Sequence, residues 1–274
     1  MRIGFFDSGI GGVSVLAEAL AKLPDQEYLF YADVDHVPYG EKTTEEIARF
    51  ATENARFLLS AGADAIVVAC NTATAVAIQQ LRCMTDVPVI GMEPAVKPAV
   101  EELEEGGARG LPDGPGQRVL VAATPVTLRE AKLRDLIARV DRHHCVDLLP
   151  LPGLVQLAER EIFDGQEART YLEHAFSGID RNAYSALVLG CTHFIYFKPL
   201  FRELLGNSVH LVDGNAGTVR RLMSVLGMAP AENDFDPETA RIAWYRSGRP
   251  VTEEADLHYF GRLLARAGEV KKTA

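Results

Sequence analysis

Short apolar runs alternate with longer amphipathic stretches along the whole chain, and this alternation is the main feature of its hydropathy pattern. Runs rich in β-branched and aromatic residues predict eight strands, at residues 3–6, 28–31, 65–69, 87–90, 119–122, 146–149, 186–189 and 209–212. Between them, apolar residues spaced three or four apart predict helices, among them 13–23, 45–59, 127–140 and 199–205. Strands that alternate with helices build βαβ units, so we expect an α/β fold with mainly parallel sheets flanked by helices.

A weak internal repeat relates the two halves of the chain. The run Ile3-Gly-Phe-Phe-Asp-Ser8 matches Val119-Leu-Val-Ala-Ala-Thr124, and Ala65-Ile-Val-Val-Ala-Cys-Asn-Thr72 matches Ala186-Leu-Val-Leu-Gly-Cys-Thr-His193. The repeat predicts two similar lobes, with the glycine- and proline-rich segment 106–116 as a loop near their boundary. Ligands bind beyond the carboxyl ends of parallel strands, so the polar residues that end these strands should face one cleft.

The composition limits the classes of partner. A formal net charge of −10 and scattered basic residues argue against a nucleic-acid surface. The longest apolar stretches, such as 65–70, are far shorter than the roughly 20 residues of a membrane helix, and no secretory signal precedes the first strand. We therefore expect a cytoplasmic protein with neither a nucleic-acid nor a membrane partner, whose four cysteines are thiols.

The sequence Asp7-Ser-Gly-Ile-Gly-Gly12 follows the first strand and leads into a helix. Its glycines allow a tight turn whose backbone N–H groups can bind an anion such as a carboxylate or phosphate. The same residues also fit an ordinary turn in which Asp7 or Ser8 caps the helix, and both interpretations stay open. The P-loop and GxGxxG nucleotide patterns are absent from the sequence.

Two cysteines occupy matching places in the repeat, each at the end of a buried strand. Cys70 leads into a helix through Asn71, and Cys191 is followed two residues later by His193. Either cysteine alone is more typical of a small buried hydrophobe. A helix N-terminus lowers the pKa of a thiol, so we expect an accessible thiolate at Cys70 near neutral pH. His193 can stabilise charge on Cys191 or relay its proton.

The pair of thiols predicts acid–base chemistry on both faces of one carbon atom. Inverting an amino-acid centre without pyridoxal phosphate requires removal of the α-proton on one face and return of a proton on the other. Zinc would need three or four ligands at a recognisable spacing, and a papain-like hydrolase would leave the matching Cys70 unexplained. Cys83 and Cys145 fit no such pattern, and we expect them to be structural.

Seven motifs stand in order between Ile3 and about Arg221. They are Asp7-Ser-Gly-Ile-Gly-Gly12, Val37-Pro-Tyr-Gly40, Val67-Val-Ala-Cys-Asn-Thr-Ala73, Glu93-Pro94, Thr124-Pro-Val-Thr127, Pro152 with Glu159, and Gly190-Cys-Thr-His193. With them the chain resembles the glutamate racemases of the aspartate/glutamate racemase superfamily. The resemblance implies two α/β lobes around a closed cleft: residues 1–97 completed by 210–274, and residues 98–209. It also implies cofactor-independent conversion of L-glutamate to D-glutamate for peptidoglycan.

The resemblance further implies a role for each matched residue. Cys70 would take the α-proton from D-glutamate and Cys191 from L-glutamate. Asp7 would assist Cys70, while His193 and Glu159 would support Cys191. The residues implied to contact substrate are Asp7, Ser8, Pro38, Tyr39, Gly40, Cys70, Asn71, Thr72, Thr124, Thr127, Cys191, Thr192 and His193. We expect no metal and no cofactor, and a homodimer is the candidate assembly.

A few positions depart from the family pattern. They are Glu130 and Leu151, where the family often has serine and cysteine, Gly214-Asn215 in place of Ser-Gly, and Phe194-Ile195-Tyr196 in place of a Tyr-Pro pair. None removes a proton-transfer group, so they bear on substrate preference rather than on reaction type. Racemisation of aspartate or a hydantoin is one alternative function, and a non-catalytic binding protein that keeps the cleft is another.

Overall fold

The computed structural model describes residues 1–105, 117–231 and 240–272, so the predicted loop 106–116 lies outside the described residues. In chain order the strands are β1 (Arg2–Asp7), β2 (Glu27–Ala32), β3 (Ala65–Val68), β4 (Val89–Gly91), β5 (Arg118–Ala123), β6 (Val146–Pro150), β7 (Tyr184–Leu189), β8 (His210–Asp213), β9 (Arg241–Arg246) and β10 (Arg249–Pro250). The α-helices are α1 (Val13–Lys22), α2 (Thr44–Ser60), α3 (Asn71–Cys83), α4 (Val96–Glu105), α5 (Pro125–Arg129), α6 (Ala131–Val140), α7 (Pro152–Glu159), α8 (Gln166–Ala175), α9 (Lys198–Leu205), α10 (Asn215–Leu226) and α11 (Glu254–Lys272). Short 3₁₀ helices lie at Tyr39–Glu41, Arg181–Ala183 and Thr192–Phe197.

The strands form two mainly parallel sheets. The larger has the order β10-β9-β2-β1-β3-β4, in which β9 and β10 are antiparallel and the other pairs parallel. The smaller has the order β6-β5-β7-β8, and its pairs are parallel. The strands β2-β1-β3-β4 of the larger sheet therefore have the same order as β6-β5-β7-β8 of the smaller sheet, so that β1 to β4 correspond to β5 to β8 in turn. This shared order confirms the predicted α/β fold with two similar, mainly parallel sheets flanked by helices.

All eight predicted strands are present, and the structure adds β9 and β10, which the sequence pattern missed. Strand β9 pairs with β2 over six residues, yet Trp244 is the one buried residue within it. Its other residues are exposed or half-buried, and an arginine stands at each end of the strand. The run 242–245 between its terminal arginines is nevertheless apolar and as long as the runs of the predicted strands, so the sequence carries a strand signal that the prediction did not use.

Strand β8 corrects one predicted boundary. It pairs with β7, so His210–Asp213 belong to the smaller sheet, whereas the family resemblance implied that residues 210–274 complete the first lobe. The apolar pattern of a strand indicates its conformation but not its neighbour, which tertiary packing decides. The division into lobes of 1–97 with 210–274 and of 98–209 otherwise stays a prediction.

The predicted helix 127–140 is wrong in one respect, since it is two helices. Helix α5 ends at Arg129 and α6 begins at Ala131, with Glu130 extended between them at φ −67° and ψ 140°. Glutamate is a strong helix former, so nothing in the local pattern marks this break.

The apolar core continues from one half of the chain into the other. One buried cluster includes Leu16 of α1, Phe194 in the 3₁₀ helix Thr192–Phe197, and Phe260 of α11. Strands β1, β3, β5 and β7 lie inside their sheets, so packing on both faces fixes where their carboxyl ends point. Within the described ranges, no helix is long and apolar enough to span a membrane.

Candidate active site

Four polar residues stand at the carboxyl ends of the four inner strands that carry the repeat. Asp7 ends β1, Cys70 follows β3, Thr124 follows β5 and Cys191 follows β7. All four are buried, with exposures of 0, 5, 3 and 7%. Parallel strands present their carboxyl ends on one edge of a sheet, and ligands bind there in α/β folds.

Hydrogen bonds join the two sheets at these strand ends. The Thr192 hydroxyl donates to Oδ2 of Asp7 over 3.0 Å, and the hydroxyl oxygens of Thr72 and Thr124 are 3.0 Å apart. The structure thus brings together residues from both halves of the repeat, as the sequence predicts for a cleft between two lobes.

Cys70 is the N-cap residue of α3. Its sulfur accepts a hydrogen bond from the Ala73 amide over 3.4 Å, and the thiol donates to Oγ of Ser8 over 3.6 Å. Burial, and after it the negative charge of Asp7, raise the pKa of the Cys70 thiol to about 12. The helix N-terminus is expected to lower this pKa, but the pKa is raised because desolvation outweighs the amide hydrogen bond.

Cys191 has a different set of partners. Its sulfur lies 3.7 Å from Nδ1 of His193, and Nε2 of His193 lies 2.6 Å from Oε1 of Glu159. Burial by itself lowers the pKa of His193, but its hydrogen bonds to Cys191 and Glu159 outweigh burial and raise the pKa well above the usual value. The imidazole therefore carries a positive charge beside the Cys191 sulfur.

Asp7 is held by the glycine turn that follows it. Its Oδ1 accepts hydrogen bonds from the Gly9 amide over 2.9 Å and from the Ser8 hydroxyl over 3.3 Å. Burial raises the pKa of Asp7, and the charge of His193 opposes this rise. Helix α1 has Gly12 as its N-cap with no side-chain hydrogen bond, so the alternative in which Asp7 or Ser8 caps this helix is wrong.

Two glycines in that turn allow the two halves of the site to meet. A Cβ atom on Gly9 would lie 1.9 Å from Oε1 of Glu159, and one on Gly11 would lie 2.4 Å from Oγ1 of Thr192. The Ile10 amide between them donates to Glu159 over 2.9 Å. Any side chain at either glycine would therefore displace the groups around His193.

Three buried threonine hydroxyls form a triangle between the sheets. The oxygens of Thr72, Thr124 and Thr127 are 3.0 to 3.1 Å apart. Beside them, both side-chain amide atoms of Asn71 are buried without a hydrogen-bond partner in the described part of the chain. Buried polar groups are normally paired, so the Asn71 amide is available to a ligand.

Tyr39 depends on two residues that the sequence pattern missed. Its hydroxyl donates to Oδ2 of Asp33 over 2.5 Å and accepts from Nδ2 of Asn54 over 3.1 Å. Asp33 directly follows β2, which is the signal that could have identified it. Pro38 precedes the 3₁₀ helix of Tyr39, and a Cβ on Gly40 would lie 2.8 Å from Cβ of Thr124, so this loop also reaches the smaller sheet.

The two other cysteines lie apart from this cluster. Cys83 ends α3 and is exposed, while the thiol of Cys145 is buried and donates to Oδ1 of Asp141 over 3.3 Å. Among the described residues, no group of three or more His, Cys, Asp or Glu side chains is arranged to hold a metal ion.

Comparison with known proteins agrees with this arrangement. A family model of Asp/Glu/hydantoin racemases matches residues 8–222. The chain belongs to the Asp/Glu/hydantoin racemase family. It is 47% identical to the glutamate racemase of Campylobacter curvus over 98% of both chains. This confirms the predicted family and the predicted class of enzyme, an amino-acid racemase and hence an isomerase.

Solved structures support the fold assignment. Glutamate racemase from Campylobacter jejuni has a TM-score of 0.74 at 27% identity, covering 97% of this chain and 98% of the other. Glutamate racemase from Escherichia coli, solved with L-glutamate and the activator UDP-MurNAc-Ala, has a TM-score of 0.74 at 25% identity, covering 92% and 99%.

Proposed function

We propose that this racemase interconverts L- and D-glutamate, with Cys70 and Cys191 as the two catalytic acid–base groups. The observation that carries the proposal is the equivalence of the two thiols. Each is buried at the end of the corresponding inner strand of its sheet, and a charge on Cys191 contributes to the raised pKa of Cys70. Two groups that exchange acid and base roles are what inversion of a carbon centre requires.

The charges around the thiols suit a reaction that starts from L-glutamate. The His193 imidazole, whose pKa is raised, lies beside the Cys191 sulfur and can accept or return its proton, while Cys70 retains its proton because its pKa is high. The Cys191 thiolate removes the α-proton and becomes a thiol, and the electron pair of the C–H bond stays on the substrate. Cys70 delivers its proton to the opposite face of that carbon atom and becomes the thiolate, which leaves D-glutamate.

The remaining polar groups suit an amino acid with two carboxylates. The unpartnered Asn71 amide and the hydroxyls of Thr72, Thr124 and Thr127 supply hydrogen-bond donors, which stabilise negative charge best where water is excluded. The Tyr39 hydroxyl already donates to Asp33, so we expect this loop to contact substrate through the backbone near Gly40.

The first test is racemisation of purified protein without added cofactor. Circular dichroism would follow D- and L-glutamate, with aspartate and a hydantoin as competing substrates, and NMR in D₂O would follow exchange of the α-proton. We expect Cys70→Ala and Cys191→Ala each to abolish racemisation. Cys83→Ala is the matched control, because Cys83 is exposed and lies outside the site, so it should keep full activity. Full racemisation by either of the first two variants would contradict the mechanism.

We also propose that the D-glutamate serves peptidoglycan synthesis. Growth of a D-glutamate auxotroph that expresses this chain would test that role, and the Cys70→Ala variant should fail to support growth. The cytoplasmic location, the homodimer and independence from cofactors stay predictions.

A further inference from the structure

Each thiol of the site is connected to a carboxylate through one intervening side chain, but the two connecting groups differ. Cys191 reaches Glu159 through the imidazole of His193. Cys70 reaches Asp7 through the hydroxyl of Ser8, which accepts from the thiol over 3.6 Å and donates to Oδ1 of Asp7 over 3.3 Å. The hydrogen-bond directions run continuously from thiol to carboxylate.

We propose that Ser8 is a catalytic residue that carries a proton between Cys70 and Asp7. In this step the S–H bond of Cys70 breaks and its proton forms a new O–H bond at Ser8. The original hydroxyl proton of Ser8 passes to Oδ1 of Asp7. The products are a Cys70 thiolate, an intact Ser8 hydroxyl and a neutral Asp7 carboxylic acid.

The site needs such a step because Cys70 must lose its proton before it can act on D-glutamate. Burial and the charge of Asp7 hold that proton on the thiol, while burial also raises the proton affinity of Asp7. Transfer along the chain moves one negative charge from Asp7 to Cys70, so two adjacent negative charges are never present together.

The described hydrogen bonds give this proton no second route through protein groups to Asp7. Ser8 is 4% exposed and Asp7 is fully buried, which keeps bulk water from the pair. The other donors to Asp7 are the Gly9 amide and the Thr192 hydroxyl, neither of which contacts the Cys70 sulfur in the described hydrogen bonds. Within the described ranges, no direct hydrogen bond joins Cys70 to Asp7.

The inference rests on the proposed function and predicts an asymmetry between the two directions. Turnover from L-glutamate starts from protonated Cys70, the form that the free enzyme favours. Turnover from D-glutamate requires the free enzyme to regenerate the Cys70 thiolate each time. Turnover from L-glutamate leaves a Cys70 thiolate, which regains its proton in the favoured direction of the same step. Loss of the relay slows both directions of this step by the same factor, so it should limit the reaction from D-glutamate, where the step runs against the favoured direction, before it limits the reaction from L-glutamate.

The test is Ser8→Ala, assayed from both enantiomers. Enantiomers have equal free energies in water, so kcat/KM must be the same in both directions for every variant. We expect kcat from D-glutamate to fall roughly ten-fold or more, with a parallel fall in its KM and a larger solvent deuterium isotope effect. Thr72→Val is the matched control, because it removes a hydroxyl implied to hold substrate but outside the relay. It should raise KM for both enantiomers.

A Ser8→Ala variant that raises KM for both enantiomers and keeps the ratio of the two kcat values would overturn the relay, since Ser8 would then only hold substrate. Ser8→Cys retains a group that both donates and accepts a proton, and we expect it to restore part of the kcat from D-glutamate. Failure of the relay leaves racemisation by the unmodified protein intact. Failure of the proposed function appears instead as inactivity of that unmodified protein.

Discussion

Oγ1 of Thr192 donates a hydrogen bond to Oδ2 of Asp7 over 3.0 Å, although 185 residues separate the two along the chain. Thr192 directly follows Cys191, which lies beyond β7 of the smaller sheet, and Asp7 ends β1, an inner strand of the larger sheet. The carboxylate implied to assist one cysteine is thus held by the neighbour of the other cysteine.

Removing this donor should weaken catalysis without changing the shape of the site. Thr192→Val is isosteric but lacks the hydroxyl that lowers the pKa of Asp7. A hydrogen bond to a charged group contributes about 1.5–3 kcal/mol, so kcat/KM should fall roughly ten-fold or more. The acid limb of the pH profile should move to higher pH, because Asp7 then binds its proton more tightly. Thr192→Ser keeps the donor and should keep the profile; a Thr192→Val profile identical to that of Thr192→Ser would contradict this.

The buried Cys70 thiol should make stability depend on alkaline pH. Its pKa is about 12 in the folded protein, above the usual value of 9.0 for the unfolded chain. Its contribution to the free energy of unfolding is therefore complete below pH 9.0 and is lost as the pH rises to about 12. Urea unfolding of the unmodified protein and of Cys70→Ala, at about pH 8 and about pH 11, should show the larger loss in the unmodified protein. Equal losses would show that the thiol keeps its ordinary pKa.

Substitutions in the threonine triangle should separate effects on substrate binding from effects on the free energy of unfolding. Thr124 both belongs to the triangle and caps α5, since it accepts a hydrogen bond from the Thr127 amide over 3.3 Å. Thr124→Val should therefore raise KM and also lower the free energy of unfolding by about 1 kcal/mol. Thr127→Val should raise KM without the loss of a cap. Steady-state kinetics and urea unfolding of both variants check this, and equal stabilities would contradict the capping role.

Gly214 should resist the serine that the family pattern has at this position. A Cβ there would lie 2.7 Å from the carbonyl oxygen of Glu93 and 3.0 Å from Cε of Met92. Gly214→Ser should lower the free energy of unfolding by about 1–3 kcal/mol through overpacking. Gly178→Ser is the control, because nothing lies within 4 Å of a Cβ at that glycine. Thermal unfolding of both variants measures the loss. A Gly214→Ser variant as stable as Gly178→Ser would mean that Met92 and Glu93 move away from residue 214 at little cost.

Removing the Tyr196 hydroxyl should stabilise the folded protein. That group is fully buried and has no hydrogen-bond partner in the described part of the chain. Leaving a buried donor unpaired costs about 1–3 kcal/mol, so Tyr196→Phe should match or exceed the stability of the unmodified protein. Tyr28 is equally buried but donates to the Leu23 carbonyl over 2.7 Å, so Tyr28→Phe should lose about 1 kcal/mol. Chemical denaturation of both variants measures the difference, and the opposite order would mean that Tyr196 has a partner.

The sequence could predict the elements that are locally encoded and buried. The inner strands β1, β2, β3, β5 and β7 each carry an apolar run because packing on both faces demands one, and the edge strands β6 and β8 are largely apolar although none of their residues is fully buried. The matching of Cys70 and Cys191 within the repeat is likewise visible in the sequence, since equivalent strands end in equivalent turns. Strand β9 was missed although its residues 242–245 are apolar, and the break at Glu130 was missed because a glutamate carries no signal for it.

By itself the sequence determined the α/β class, the repeat and the identity of the candidate acid–base residues, because these depend on residue type and spacing. Only the tertiary structure decided that β8 pairs with β7, that Asp33 holds Tyr39, and that Ser8 lies between Cys70 and Asp7. In the structure the pKa of Cys70 is raised, whereas the helix N-terminus alone predicts that it is lowered. A helix N-terminus is a local feature, whereas desolvation and the charge of Asp7 arise only when distant segments pack together.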